Sequence, residues 1–132
     1  MSPASSVGRS VAAVFLGFLA VVVLSLATDQ LLHVLEVYPP WGEPMWSPAL
    51  NLLALTYRTI YTVFAGYLTA RLAPHAPMRH VAILGVLGLI GGTAGVITAL
   101  SIELGPKWYP IALAGAAFPS VWLGGRLSRP RT

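Results

Sequence analysis

Four long stretches of the chain are apolar almost without interruption, and each is bounded by residues that start or stop a helix. Ser10 to Thr28 carries no charge, Pro48 to Ala70 is broken only by Arg58, and Val81 to Ile102 and Trp108 to Gly125 are again uncharged. A helix that crosses a membrane needs ~20 mainly apolar residues, within a working range of about 17 to 25. All four stretches reach that range, the last one narrowly. Pro39-Pro40 halts the first helix at Tyr38, Ser47-Pro48 supplies an N-cap and a first-position proline for the second, and Pro77 and Pro110 open the third and fourth in the same way. Gly105-Pro106 predicts a left-handed cap and stop after the third. The expected architecture is all-α: a polytopic four-transmembrane-helix bundle with helices at about 10–38, 48–73, 77–104 and 110–127. These form a single domain, 10–127, between a disordered N-terminal tail, 1–9, and a short basic tail, 128–132.

Composition agrees with this class. Of 132 residues 56% are hydrophobic and 9% charged, and the mean hydropathy of +0.75 is too high for the surface of an ordinary soluble domain. The absence of cysteine excludes disulfides, thiolate metal sites and cysteine nucleophiles together. Arg9 ahead of an apolar run, with Ser25-Leu26-Ala27 behind it, has the outline of a signal peptide. Helical hydrophobicity continues through Leu31, Leu32, Val34 and Leu35, however, so the segment reads as helix one.

Charge placement orients the bundle. Arg9, Arg71, Arg79, Arg126, Arg129 and Arg131 all fall at one end, whereas Asp29, Glu36, Glu43 and Glu103 fall in the opposite half with Lys107. The positive-inside rule then puts both termini and the middle loop of this multi-pass protein in the cytoplasm. Tyr38, Trp41, Trp46, Trp108 and Tyr109 gather at the outer ends, the level of the headgroups, and Trp122 serves the inner face. A pI near 10.0 is thus a topology signal. No nucleic-acid partner is expected, because the aromatics and the arginines sit at opposite ends.

Two charges lie inside the apolar stretches. Asp29 is nine residues before Tyr38 and Arg58 ten after Pro48, depths of roughly 13 and 15 Å at ~1.5 Å per residue. The match predicts a buried ion pair, and an intramembrane charge is by default a hint of function. Asp29, His33 and Glu36, at helical offsets of four and seven, form one polar line running outward. One reading of the line is a relay, ligand or metal site, since imidazole and carboxylate carry protons and bind metals. The other is a bundle-facing stripe with Asp29 paired to Arg58 and the rest solvated, and with no fourth ligand in view no metal or cofactor is assigned. Tyr57 and Tyr61, near Asn51, Arg58, Thr62 and Thr69 on helix two, either bond Asp29 or His33 or serve as interfacial packing, and packing is the preferred reading.

Helix three carries Gly85, Gly88, Gly92 and Gly95 in one strip, widened by Gly91, which lets another backbone approach closely. Its partner is left open between helices one, two and four and a second copy. Pro119 is expected to kink helix four. No GxSxG, HExxH, Walker or dinucleotide motif occurs. The segments Thr28-Asp29 to Trp41, Tyr57-Arg58 to Tyr61, Gly66 to Pro74, Pro77-Met78-Arg79-His80, Trp108 to Leu113 and Trp122 to Arg126 resemble those of uncharacterised small bacterial inner-membrane proteins with four transmembrane helices. The resemblance spans most of the chain and implies the architecture, but no activity. The expected role is an accessory or binding subunit, with the lipid bilayer and a homo-oligomer or larger membrane complex as partners. The alternative is a small transporter or channel for protons, cations or a small solute, using Asp29, His33 and Arg58. An enzyme is the least favoured class, for want of a catalytic constellation.

Overall fold

The computed structural model describes the backbone of residues 3–128 and the side chains of residues 5–128. Among them are four helices and no strand: α1 (Pro3–Val34), α2 (Pro48–Leu72), α3 (Pro77–Ser101) and α4 (Trp108–Ser128). Two are long and apolar enough to cross a membrane, α1 over Ser5–Val34 and α3 over Pro77–Ser101. α2 and α4 fall short on hydropathy. α2 carries Asn51, Thr56, Arg58, Thr59 and Thr62, and α4 carries Tyr109, Pro110, Pro119, Ser120 and Arg126.

The starts of α2, α3 and α4 follow the sequence signals to within two residues, whereas α1 departs from them at both ends. Pro48 and Pro77 open α2 and α3 as expected, and the Ser47 hydroxyl accepts from the Leu50 N–H at 3.3 Å. α4 opens at Trp108, two residues before Pro110, which is tolerated in the first turn where its N–H has no helical partner. α1 reaches back to Pro3, so residues 3–9, expected as a disordered tail, are helical. The rest of that tail, and Arg129 and Arg131 of the basic tail, lie outside the described residues. α1 also stops at Val34 and not at Tyr38. Glu36 takes a left-handed φ of 60°, and the N–H groups of Val37 and Tyr38 turn back to the Leu32 carbonyl at 2.9 and 3.2 Å, so the chain reverses before the double proline. α3 ends at Ser101 with an extended Ile102 as its cap, so Gly105 is not the cap. Gly105 instead passes close to the α1–α2 loop, where a Cβ would meet the Met45 carbonyl oxygen at 2.5 Å.

α2 is the centre of the bundle. α1 runs antiparallel along one side, with the Thr69 hydroxyl donating to the Ala13 carbonyl at 3.1 Å and Gly17 set against Thr69 and Ala65. α4 crosses the other side so closely that Gly66 abuts the Val121 backbone and Gly124 abuts the Val63 carbonyl, with no room for a side chain at either. α3 packs on α4. Gly85 lies on the Phe118 ring, Gly88 on Ala117 and Gly92 on Ala114, whereas Gly91 and Gly95 face open space. The helix-three strip therefore has a partner within the chain over most of its length. α3 meets α1 near their starts, through the 2.8 Å contact of His80 Nε2 with Ser10 Oγ and through Leu84 beside Gly17. The backbones of α1 and α4 stay apart. Ala65, Ala70, Val81, Leu84 and Val121 fill the arginine-rich half, and Tyr38, Ala54 and Tyr57 the acidic half.

Candidate functional site

Asp29 is buried, at 6% exposure, and two consecutive residues of α2 converge on it. The Arg58 guanidinium pairs with Oδ2 and the Tyr57 hydroxyl donates to Oδ1. Because the one Tyr57 proton is spent on the carboxylate, the Tyr38 hydroxyl, 2.8 Å away, is the donor to Tyr57. Burial pushes the Tyr38 hydroxyl above the ordinary tyrosine value, which keeps that proton in place. One turn along, Thr28 donates to the Leu24 carbonyl at 2.8 Å and accepts from Tyr61 at 2.7 Å. The result is a charge satisfied by donors at both oxygens, inside a ladder that ties α1 to α2. The guanidinium is less enclosed, at 27% exposure, and its Nε is buried without an acceptor among the described residues.

The helix-end correction explains how the pair forms. Asp29 lies five residues from the end of α1, not nine. Counting from Tyr38 still lands on Arg58 because the register of Thr28 with Tyr61 and Asp29 with Tyr57 leaves roughly the first turn of α2 standing beyond the end of α1.

Of the polar line, Asp29 and His33 stay one turn apart on α1 and border one pocket, while Glu36 leaves the helix. His33 turns away from Asp29: its Nδ1 donates to the Pro39 carbonyl at 2.8 Å, and its ring lies against Trp41 with centroids 3.8 Å apart and edge-on to Tyr38 at 5.3 Å. Glu36 lies past the end of α1 and is exposed. The left-handed turn at Glu36 takes that residue alone off the helical spacing. Among the described residues, no three His, Asp or Glu side chains gather where a metal ion could be held. Tyr57 and Tyr61, read preferentially as packing, both make hydrogen bonds to α1. Tyr38 and Tyr109 belong to the same surroundings and were not among the expected site residues. The sequence places Tyr38 among the headgroup-level aromatics, and nothing local in it announces that the reversal after Val34 folds the ring inward to 6% exposure.

Two cavities touch the pair. A pocket of about 210 Å³ under the α1–α2 loop is bounded by Asp29, Arg58, His33, Tyr109 and Leu104. On the other side of Arg58, a groove of about 370 Å³ is bordered by all four helices, with Ser25, Thr62, Leu113 and the glycines of α3 among its lining. Toward the arginine-rich end the bundle is filled by the Ala65, Val81, Leu84, Val121 core, and Ala65, Leu84 and Val121 also border that groove. The chain is a small four-helix protein with two membrane-capable helices, and comparison with family models, curated proteins and solved structures gives no match.

Proposed function

We propose that the protein is a multi-pass protein of the bacterial inner membrane, with four spans and cytoplasmic termini, and that it serves as a non-catalytic accessory or binding subunit. The four-span reading is supported by where the apolar side chains point. In the apolar windows of α1 and α3 only 17% of residues are buried, the reverse of a soluble core helix. α2 turns Asn51, Tyr57 and Thr69 inward and presents Leu52, Leu53, Ile60 and Phe64 outward, while α4 presents Ile111, Trp122, Leu123 and Leu127. Average hydropathy therefore understates how apolar their outer faces are. The exposed Thr56 and Thr98 hydroxyls donate to the carbonyls four residues back at 2.7 and 2.9 Å, as a lipid-facing hydroxyl must. At ~1.5 Å per residue α2 and α4 are roughly 37 and 31 Å long, against ~30 Å of hydrocarbon.

The accessory role rests on one observation: the Asp29 charge is satisfied within the bundle, by Arg58 at one oxygen and Tyr57 at the other. What remains available to a partner, a second copy or a larger membrane complex, is the flank between α1 and α3, including Gly91 and Gly95. Reconstituted in liposomes, the protein should give no gradient-driven flux of protons or common cations. A second reading, a small transporter, is favoured by the pocket that reaches Asp29 and Arg58 from the acidic end and the groove behind Arg58. A flux that Asp29→Asn reduces would replace the accessory reading with that one.

A further inference from the structure

Along their arginine-rich halves, α1 and α3 wall a groove of about 680 Å³. Its sides are apolar, with Val11, Val14, Phe15 and Phe18 from α1 facing Ile83 and Leu87 from α3. Its mouth is cationic and polar. Arg79 and His75 are exposed there, and Arg79 has no ion-pair partner among the described residues. His80, buried beside them, holds the two walls together: Nδ1 donates to the Ala76 carbonyl at 3.0 Å, which leaves Nε2 to accept the Ser10 hydroxyl at 2.8 Å. The mouth is therefore set by a fixed contact between the walls. From Ser10 to Phe18 the groove runs eight residues, ~12 Å of helix. Half of a ~30 Å hydrocarbon core, one leaflet, is ~15 Å.

A cation at headgroup level above an apolar slot one leaflet deep matches one kind of molecule. A soluble anion has no use for the slot, and an apolar helix leaves the arginine unpaired. Basic pockets between spanning helices on the cytoplasmic side are where anionic headgroups bind. We propose that this groove holds one anionic phospholipid of the cytoplasmic leaflet, with its phosphate at Arg79 and His75 and an acyl chain between α1 and α3. The inference rests on the membrane reading and its orientation, and is independent of the choice between accessory and transport roles.

The test is native mass spectrometry of the full chain, purified in mild detergent with equimolar phosphatidylglycerol and phosphatidylcholine. One phosphatidylglycerol per protein should be retained in preference. Arg79→Gln should lower the preference about fivefold, the equivalent of ~1 kcal/mol for one basic residue near an anionic surface. His75→Gln repeats the test at the second exposed rim residue, whose ring meets His80 edge-on at 5.5 Å. Val14→Trp, which fills the slot, should reduce retention of both lipids. Equal retention of the two lipids by the wild type, a preference unchanged in both rim variants, or a dimer that forms in place of the lipid complex would each overturn the assignment. Release of the protein from membranes by alkaline carbonate would sink the membrane reading itself. Carbonate-resistant protein with no lipid preference would remove the lipid site alone.

Discussion

At Asp29 the energetics are decided by how many donors the carboxylate loses when a neighbour changes. Breaking a fully buried ion pair costs ~3–5 kcal/mol, and the partial exposure of Arg58 lowers the expectation for Arg58→Gln to about 1–3 kcal/mol. Tyr57→Phe removes a charge-assisted hydrogen bond but leaves the ring, and should cost about 1–3 kcal/mol. Both losses should appear as lower thermal midpoints in detergent, with the swapped pair Asp29→Arg, Arg58→Asp recovering part of the first. Midpoints equal to wild type for all of these would mean that the contact contributes nothing. A change of the opposite sign is expected at Ala76, the α3 N-cap, which holds a left-handed φ of 41°. Ala76→Gly should stabilise by about 1 kcal/mol, since the left-handed region penalises a Cβ and not glycine.

At the scale of elements, two kinds of glycine carry different consequences. Gly124 abuts the Val63 carbonyl and the Tyr67 N–H, backbone that cannot swing aside. Gly124→Ala should therefore separate α4 from α2 and cost about 1–3 kcal/mol. Gly95 faces open space, so Gly95→Ala should gain about 0.5–1 kcal/mol from the lower helical cost of alanine. Thermal melts of the two variants should move in opposite directions. Leucine at both Gly88 and Gly92 should disrupt the contact with Ala117 and Ala114 inside one chain at any protein concentration. An intact monomer that merely lost an oligomer would contradict the internal seam.

The whole molecule has one arginine-rich end and one acidic end, and the topology proposal follows from that asymmetry. Reporter domains fused near Gly42 or Lys107 should be active outside the cytoplasm, and those near His75 or beyond Ser128 inside it. The reverse pattern would invert the sidedness and move the proposed lipid site to the other leaflet. Uniform cytoplasmic activity would remove the four-span reading altogether.

Helix number and type, the starts at Pro48 and Pro77 and the segregation of charge were legible in the sequence, because each depends on local chemistry: a missing N–H, an N-cap hydroxyl, a run of apolar side chains. The pairing of Asp29 with Arg58 was legible too, through a count whose starting point was misplaced but whose register the projecting turn of α2 restored. What only the tertiary structure decided were the places where distant segments compete for one group. His33 was aligned with Asp29 by helical spacing, yet its proton goes to the Pro39 carbonyl, brought near by a reversal that no residue before the prolines signals. Tyr38 entered the site through the same reversal. The glycine strip of α3 announced a close contact but not its partner, since a bare surface accepts any backbone. Only the packed bundle shows that α4 takes most of it and that Gly66 and Gly124 make the tightest crossing. Local physics set the elements and, apart from the start of α1, their ends to within a turn or so, while the partners depended on which surfaces could come together at once.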